Sequence, residues 1–321
     1  MFYLSSFIIL NINFMRDQLL EISLVICTYN REKFLPEALE SVRIQNADRQ
    51  RFELIVIDNF CTDNTAEIVK KFIESNPQLI INYFFESNKG LSYARNRGIA
   101  EAKSPIISYI DDDVILPPNY VNEVLGFFNN KKDAVGVGGR VVPKYESGVE
   151  PIWMNKYLNG FVAKVDHGEE IKKFTKRMKY PAGCNMTYKK DILDRVKGFN
   201  NELKFRSDDK YIFKKVSQIS DEIYYLPKAW LFHYIDNARL EPINFKKLFM
   251  KTGNEEKRRI LSEGNGPELF LKFIELTLKM LASILIMQRF TFLGLFPKGK
   301  FVFLSQWFTW IGFLKKDVFV R

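Results

Sequence analysis

The chain has 321 residues, 46% hydrophobic and 27% charged, an ordinary globular composition long enough for one large domain or a domain with an appendage. Its three cysteines, Cys27, Cys61 and Cys184, are odd in number, far apart and without a CxxC, which excludes a disulfide framework or zinc cluster and reads as reduced thiols in a cytoplasmic setting. The net charge of +10 suits phosphate-bearing ligands, nucleic acid or an anionic membrane surface, and does not choose among them.

Residues 1–20 read as an N-terminal extension. Met1 to Met15 is apolar but has no basic leader and no small-residue cleavage site, so it does not resemble a secretory signal, and Met15 offers an alternative start. Glu21–Asn30 (EISLVICTYN) is a short apolar, β-branched run and predicts a buried strand. Phe34, Leu35, Ala38, Leu39 and Val42 follow at helical spacing. Phe52–Asp58 predicts a second strand, and Thr65–Ser75 a helix with Asp63 or Asn64 as its cap. Leu79–Phe85 predicts a strand, Leu91–Lys103 a helix, Pro105–Ile110 a strand, Pro118–Asn129 a helix and Ala134–Val142 a fifth strand.

This alternation predicts an α/β fold with a doubly wound, mostly parallel sheet flanked by helices. In such sheets ligands sit beyond the carboxyl ends of the strands. Thr28–Asn30, Asp58-Asn59 and Asp111–Asp113 all fall there, so three polar clusters should converge on one edge. After Pro143 the pattern weakens. Lys144–Lys179, with the basic run Lys172 to Arg177, reads as a solvated loop or as a lid. Order returns at Gly183–Tyr188, a short helix at Asp191–Val196, a helix after Ser207, a strand-like Glu222–Tyr234 and helices from Pro242 onward.

Asp111-Asp112-Asp113 is the strongest chemical signal, because the apolar Ile106–Ile110 delivers three carboxylates from a buried strand. Two carboxylates about 4 Å apart repel by roughly 4 kcal/mol at an effective dielectric of 20. A site that tolerates this holds a cation, and carboxylates suit Mg²⁺ or Mn²⁺, which bridge phosphate oxygens; the plainer alternative is an acidic turn capping the next helix. Asp58 is left without an evident structural task if Asp63 and Asn64 cap the helix, which points to a base or ribose contact. Lys89, Arg95 and Arg97 lie near a helix start, where cations and helix N-termini both favour phosphate. Ser207-Asp208-Asp209 makes a good helix cap with first-turn acids and also offers a carboxylate base. His233 lies in an apolar stretch, where a satisfied core histidine is as reasonable as a ligand.

The stretches SLVICTYNREKFLPEALESV, ELIVIDNFCTDNT, NKGLSYARNRGI and ISYIDDDV, in that order, resemble the family 2 glycosyltransferases with the GT-A fold. GCNMTYKKDILDRVKGFNNEL followed by SDD resembles that family's acceptor-side segment, and the likeness covers residues 21–240. The resemblance implies an inverting transferase that moves a sugar from a nucleotide-diphosphate donor, a UDP-sugar above all, to an acceptor hydroxyl in polysaccharide or glycolipid synthesis. It implies that Thr28, Tyr29, Asn30, Asp58, Arg95, Asp111 and Asp112 bind the nucleotide-sugar. It further implies that Asp111 and Asp113 hold Mn²⁺ or Mg²⁺ as a DXD motif, with His233 as a further ligand and Arg239 at the family's spacing behind it. Asp208-Asp209 stand at the family's acidic pair, with Asp209 as the catalytic base, and Tyr211 stands where a further acid is common.

Two other nucleotide-binding classes fit less well. A nucleotide-sugar pyrophosphorylase or a dinucleotide dehydrogenase would carry a glycine-rich loop after the first strand. CTYNREK has no glycine, and GVGG at 136–139 comes too late. A non-catalytic sugar-nucleotide-binding scaffold on the same fold is the remaining alternative.

Residues 241–321 read as a helical, membrane-associated region. Leu269–Phe296 is apolar but broken by Lys272, Glu275, Lys279 and Arg289, and Phe301–Leu314 is uncharged for only fourteen residues. Crossing a bilayer takes about 20 apolar residues. Apolar faces with Trp307, Trp310 and flanking lysines instead suit helices lying in the interface; the plainer alternative is a helical pair packed on the protein. The expected partners are thus a nucleotide-diphospho-sugar, a saccharide or lipid-linked acceptor and a membrane surface, with no nucleic acid. The expected location is cytoplasmic, peripheral on the membrane's cytoplasmic face.

Overall fold

The computed structural model describes residues 19–175, 178–203, 207–264 and 266–315. The expectations for residues 1–18 and for Lys176-Arg177 lie outside them.

The first half builds β1 (Ile22–Thr28), α1 (Leu35–Arg43), β2 (Phe52–Asp58), α2 (Thr65–Ser75), β3 (Ile81–Phe85), α3 (Leu91–Glu101), β4 (Ile106–Asp111), the two-residue β5 (Val114–Ile115), α4 (Tyr120–Asn130) and β6 (Gly136–Tyr145). β2 is buried throughout and β1 nearly so, as expected of strands covered by helices on both faces. The second half adds β7 (Lys172–Lys173), β8 (Asn185–Lys189), α5 (Lys190–Arg195), α6 (Asp208–Ile219), β9 (Ile223–Ile235), α7 (Asn237–Leu240), α8 (Pro242–Ser262), α9 (Gly266–Phe292) and α10 (Phe296–Leu314).

Along the sheet the strands run β3-β2-β1-β4-β8-β6-β9-β5, with β7 paired to β9. β3, β2, β1 and β4 are mutually parallel, and β6 and β9 are parallel to each other. The expected fifth strand, β6, does not follow β4 directly: β8 is inserted between them, antiparallel to both. β6 and β9 approach so closely that a Cβ on Gly139 would lie 1.7 Å from the Ala229 carbonyl oxygen. Gly139 is therefore there to let backbones meet, which no larger residue could do, while Gly136 and Gly138 leave room for Tyr188 and Pro181.

Residues 144–175 are not solvated throughout. They contain a 3-10 turn, Lys156–Val162, whose Leu158, Phe161 and Val162 are buried. With Met154, Ile235, Phe245 and Val302 they form a second core between the sheet edge and the C-terminal helices, where Trp153 stacks on Phe301 at 4.3 Å. α10 packs between α8 and α9. Its contact with α8 is made backbone to backbone: a Cβ on Gly253 would stand 2.0 Å from the Thr309 carbonyl, and one on Gly312 2.0 Å from that of Met250. Trp310 is taken up in this packing, donating from Nε1 to Thr277 Oγ1 at 3.0 Å, which for this side chain favours the plainer alternative of a helical pair packed on the protein.

Candidate active site

The carboxyl ends of β1 and β4 open onto a cavity of about 1270 Å³. Thr28, Tyr29, Arg31, Asn59, Lys89 and Arg95 line one side of it, with Asp111, Asp112 and Asp113 at its floor. Lys179, Tyr180, Gly183, Asp208, Asp209, His233 and Arg239 line the other, and α8 closes it with Asn244, Phe249 and Thr252 among others. The edge of the sheet thus does what its topology predicts.

The triple aspartate divides into unlike members. Asp112 and Asp113 are buried and both meet Arg31, through Nε at 3.4 Å and Nη2 at 2.5 Å respectively. Burial and the neighbouring Asp113 push the Asp112 carboxyl up to about 7, with Arg31 opposing. Against the cost of burial, His233 and Arg31, with Arg239 behind them, hold Asp113 down to about 2. Burial raises Asp111, and Arg95 at 3.5 Å offsets part of that. His233 reaches this cluster because β9 pairs with β5, setting it opposite Val114. Its Nδ1 shares a contact of 3.1 Å with the Val162 carbonyl and its Nε2 faces Asp113 Oδ1 at 3.3 Å. His233 is therefore both the satisfied buried histidine and a wall of the acidic site.

Arg95 is the hub of the second cluster. It is buried, pairs with Asp208, approaches Asp111 and donates from Nη2 to the Gly183 carbonyl at 3.1 Å. Gly183 in turn donates its N–H to Asp209 Oδ2 at 3.3 Å. Burial and the adjacent Asp208 raise the Asp209 carboxyl, with Arg95 opposing. Ser207 does not cap α6 as expected: it sits at φ 71° and its hydroxyl makes no capping bond. Arg97 is not part of the site either, since it pairs with Glu101 at 2.7 Å and lies over Phe84. Tyr211 faces away from the main cavity, in a polar recess with Lys214 and Ser262.

On the β1–β2 side Thr28 and Tyr29 line the cavity, and Lys89 lies over Phe60 at 4.3 Å. Neither Asp58, which is buried, nor Asn30, which is exposed, lines the cavity. Asp58 has a structural task after all: it accepts from Cys61 N at 2.7 Å and from the Tyr83 hydroxyl at 2.5 Å. Asn30, at φ 52°, accepts from Thr62 N at 2.7 Å. Asn59, next to Asp58, reaches the cavity instead and ties the entry of α3, donating to the Asn88 carbonyl and accepting from Gly90 N at 2.9 Å. Arg31 was not singled out from sequence, and Asn59 only as part of the Asp58-Asn59 cluster. The available signal was position, since each follows a strand end on the ligand-bearing edge.

The residues at the floor fit a divalent cation held jointly with a ligand. Asp113 Oδ1 is buried without a hydrogen-bond partner, beside an imidazole nitrogen and two further carboxylates. Among the described residues no three His, Cys, Asp or Glu side chains form a ready-made metal cage. Ions such as Mg²⁺ take one or two carboxylates and complete their shell with water and phosphate oxygens, so the carboxylates present are enough in number.

Sheet order, flanking helices and a carboxylate-floored cavity at the strand ends define an α/β protein of the GT-A type. Residues 23–197 match the model of glycosyl transferase family 2, and the chain belongs to that family. A glucosyl-dolichyl phosphate glucuronosyltransferase of Haloferax volcanii is 25% identical over 64% of this chain and 64% of its own length. The poly(ribitol-phosphate) β-N-acetylglucosaminyltransferase TarS of Staphylococcus aureus is 23% identical over 80% of this chain, which spans 44% of TarS. Among solved structures, TarS residues 1–349 with UDP-GlcNAc aligns at a TM-score of 0.55 with 19% identity, over 74% of this chain and 66% of that one. The mannosyltransferase PcManGT from Pyrobaculum calidifontis, with GDP-Man and Mn²⁺, aligns at 0.57 with 16% identity, over 76% and 64%.

Proposed function

We propose that this protein moves a sugar from a nucleotide-diphosphate donor, in our reading a UDP-sugar, to a hydroxyl of a saccharide or lipid-linked acceptor, with inversion, in polysaccharide or glycolipid synthesis. The observation that carries this is one buried arginine, Arg95, joining two acidic groups that face a single cavity: Asp111–Asp113 on the strand side and Asp208-Asp209 across from them. Family membership and the sugar-transfer names of the curated relatives support the class of reaction.

In this reading Thr28 and Tyr29 wall the nucleotide, Asn30 and Asp58 hold the loop behind them in shape, and Asp112, Arg95 and Lys89 shape the donor side. Asp111 and Asp113, with His233, would hold Mn²⁺ or Mg²⁺. When bound, that ion supplies positive charge to the donor diphosphate and its departure. Asp209 takes the proton of the acceptor hydroxyl, for which a carboxylate raised by burial is suited. The acceptor oxygen then bonds to the anomeric carbon from the face opposite the diphosphate. The old C–O bond breaks, and its electron pair leaves on the phosphate oxygen. Asp208, fixed by Arg95, orients the first turn of α6 and so Asp209.

We also place the protein at the cytoplasmic face of a membrane as a peripheral protein. Large apolar side chains of α9 are exposed, and no helix among the described residues is long and apolar enough to cross.

The reaction is tested with Asp209→Asn, assayed over a panel of nucleotide sugars. We expect kcat to fall about 10²–10⁴-fold with donor affinity little changed, and a product of inverted anomeric configuration by NMR. A retained configuration, or full turnover in the variant, overturns the assignment of Asp209.

A further inference from the structure

The C-terminal hairpin carries an apolar surface that the rest of the chain does not cover. Along α9, Phe270, Leu271, Ile274, Leu278, Leu281 and Leu285 are exposed at spacings of three and four, so they form one stripe facing away from α10. The stripe continues into the turn between α9 and α10, where Phe292 is 92% exposed, with Leu293, Leu295 and Phe296 exposed beside it. A contiguous exposed apolar surface of this kind marks an interaction site in a soluble protein.

The charges around the surface select its occupant. On α9 Glu275 is paired with Lys272 and Lys279, and from Leu276 to Lys316 the sequence holds six lysines and arginines and no acidic residue. Three of them, Arg289, Lys298 and Lys300, flank the apolar turn, one on the α9 side and two on the α10 side. A second copy of this chain seated on the same face would set this acid-free, cationic stretch against itself. A bilayer with anionic headgroups offers hydrocarbon for the apolar tip and negative charge for the cations behind it.

We infer that the α9–α10 hairpin is the membrane seat. Phe292, Leu293, Leu295 and Phe296 enter the headgroup–acyl boundary, Arg289, Lys298 and Lys300 meet anionic headgroups, and the outer stripe of α9 lies along the interface. This specifies the peripheral placement proposed above and moves its seat from the tryptophans of α10 to α9 and the hairpin turn. It also links the bilayer to the site. α10 packs directly on α8, and α8 supplies Asn244, Phe249 and Thr252 to the cavity wall. The seat is thus joined to the cavity through the helix stack α9–α10–α8.

The test is co-sedimentation of the full chain with vesicles of phosphatidylcholine alone or mixed with phosphatidylglycerol, at low and high salt. We expect binding to the mixed vesicles only, weakened by salt. Each cation near an anionic surface contributes about a fivefold factor in partitioning, so R289Q/K298Q/K300Q should bind about 10²-fold more weakly. Phe292→Ser with Leu293→Ser, at exposed positions where folding is little affected, should also reduce binding, and circular dichroism checks that both variants are folded. Binding needs no turnover, so D209N should sediment like the native chain whether or not Asp209 is the base. No binding to either vesicle, or equal binding by the native chain and both variants, overturns the inference. So does a dimer in light scattering that F292S/L293S dissolves, which would make this face a contact between copies.

Discussion

Glu256 of α8 sits where the C-terminal helices meet the helix that carries Asp209, and it offers a stringent test of how the two are joined. Its carboxylate pairs with Lys210, the neighbour of Asp209, and with Arg259 at 3.2 Å and Lys272 at 3.4 Å. Against the cost of burial, Lys210, Arg259 and Lys272 bring its carboxyl from 4.5 down to about 2. A displacement of that size, at 1.36 kcal/mol per unit, corresponds to about 3 kcal/mol of stability at neutral pH. Glu256→Gln keeps the shape, loses the charge and leaves Arg259 buried with one fewer anion, so it should destabilise by about that amount in urea unfolding at pH 7. The sign with pH follows from a depressed carboxylate. Its contribution is complete above 4.5 and is lost as pH falls through about 2, so the gap between native and E256Q should shrink to under half by about pH 3. Carboxylates that do not share Lys210, Arg259 or Lys272 titrate alike in both proteins and cancel in the difference. A gap that stays constant between pH 7 and pH 3, or one well under 1 kcal/mol at pH 7, refutes the reasoning.

Arg95→Met should cost about 3–5 kcal/mol, because it leaves Asp208 buried without its cation. Adding Asp208→Asn should recover part of that loss, so a double-mutant cycle in urea that shows no coupling would remove Arg95 as the hub. Gly139→Ala should cost at least about 1–3 kcal/mol, since the new Cβ would meet the Ala229 carbonyl and Asn185 Nδ2; an unchanged melting temperature would show that β6 and β9 can separate at no cost.

Much of the first half of the fold was legible because its strands are short apolar runs punctuated by polar strand ends. Phe52–Asp58 and Thr65–Ser75 were read with the bounds they have. The clustering of Asp111–Asp113 with Thr28 and Arg95 followed from parallel strands ending on one edge. Three things were not legible. Asp58 looked free because its partners, the Cys61 amide and Tyr83, belong to a turn and a neighbouring strand that sequence spacing cannot bring together. Lys144–Lys179 looked solvated because its buried Leu158, Phe161 and Val162 lie in a 3-10 turn with no helix or strand period, and pack against helices distant in sequence. Trp310 of α10 looked interfacial because an apolar helix reads alike whether another helix or lipid covers it. Only α9's contact with α10, through Thr277 and Trp310, separates the two cases.

The direction of β8 was the feature of greatest consequence that pattern could not supply. Antiparallel pairing sets Asn185, the first residue of β8, opposite Ile110, at the end of β4 that carries the aspartates. The residues just before β8 therefore stand at the ligand edge, where Gly183 takes a hydrogen bond from Arg95 and gives one to Asp209. Had β8 run parallel to β4, its entry would lie at the opposite edge, a strand's length away, and Gly183 could join neither residue. The match to the family model ends at residue 197, yet Asp208, Asp209, His233 and Arg239 all reach the cavity. They do so by two routes: Asp208 and Asp209 are tied to the edge by Arg95 and by Gly183 just before β8, and His233 by the antiparallel pairing of β9 with β5. The donor side of such a site follows from strand order alone, whereas the side that would hold the base depends on strand direction.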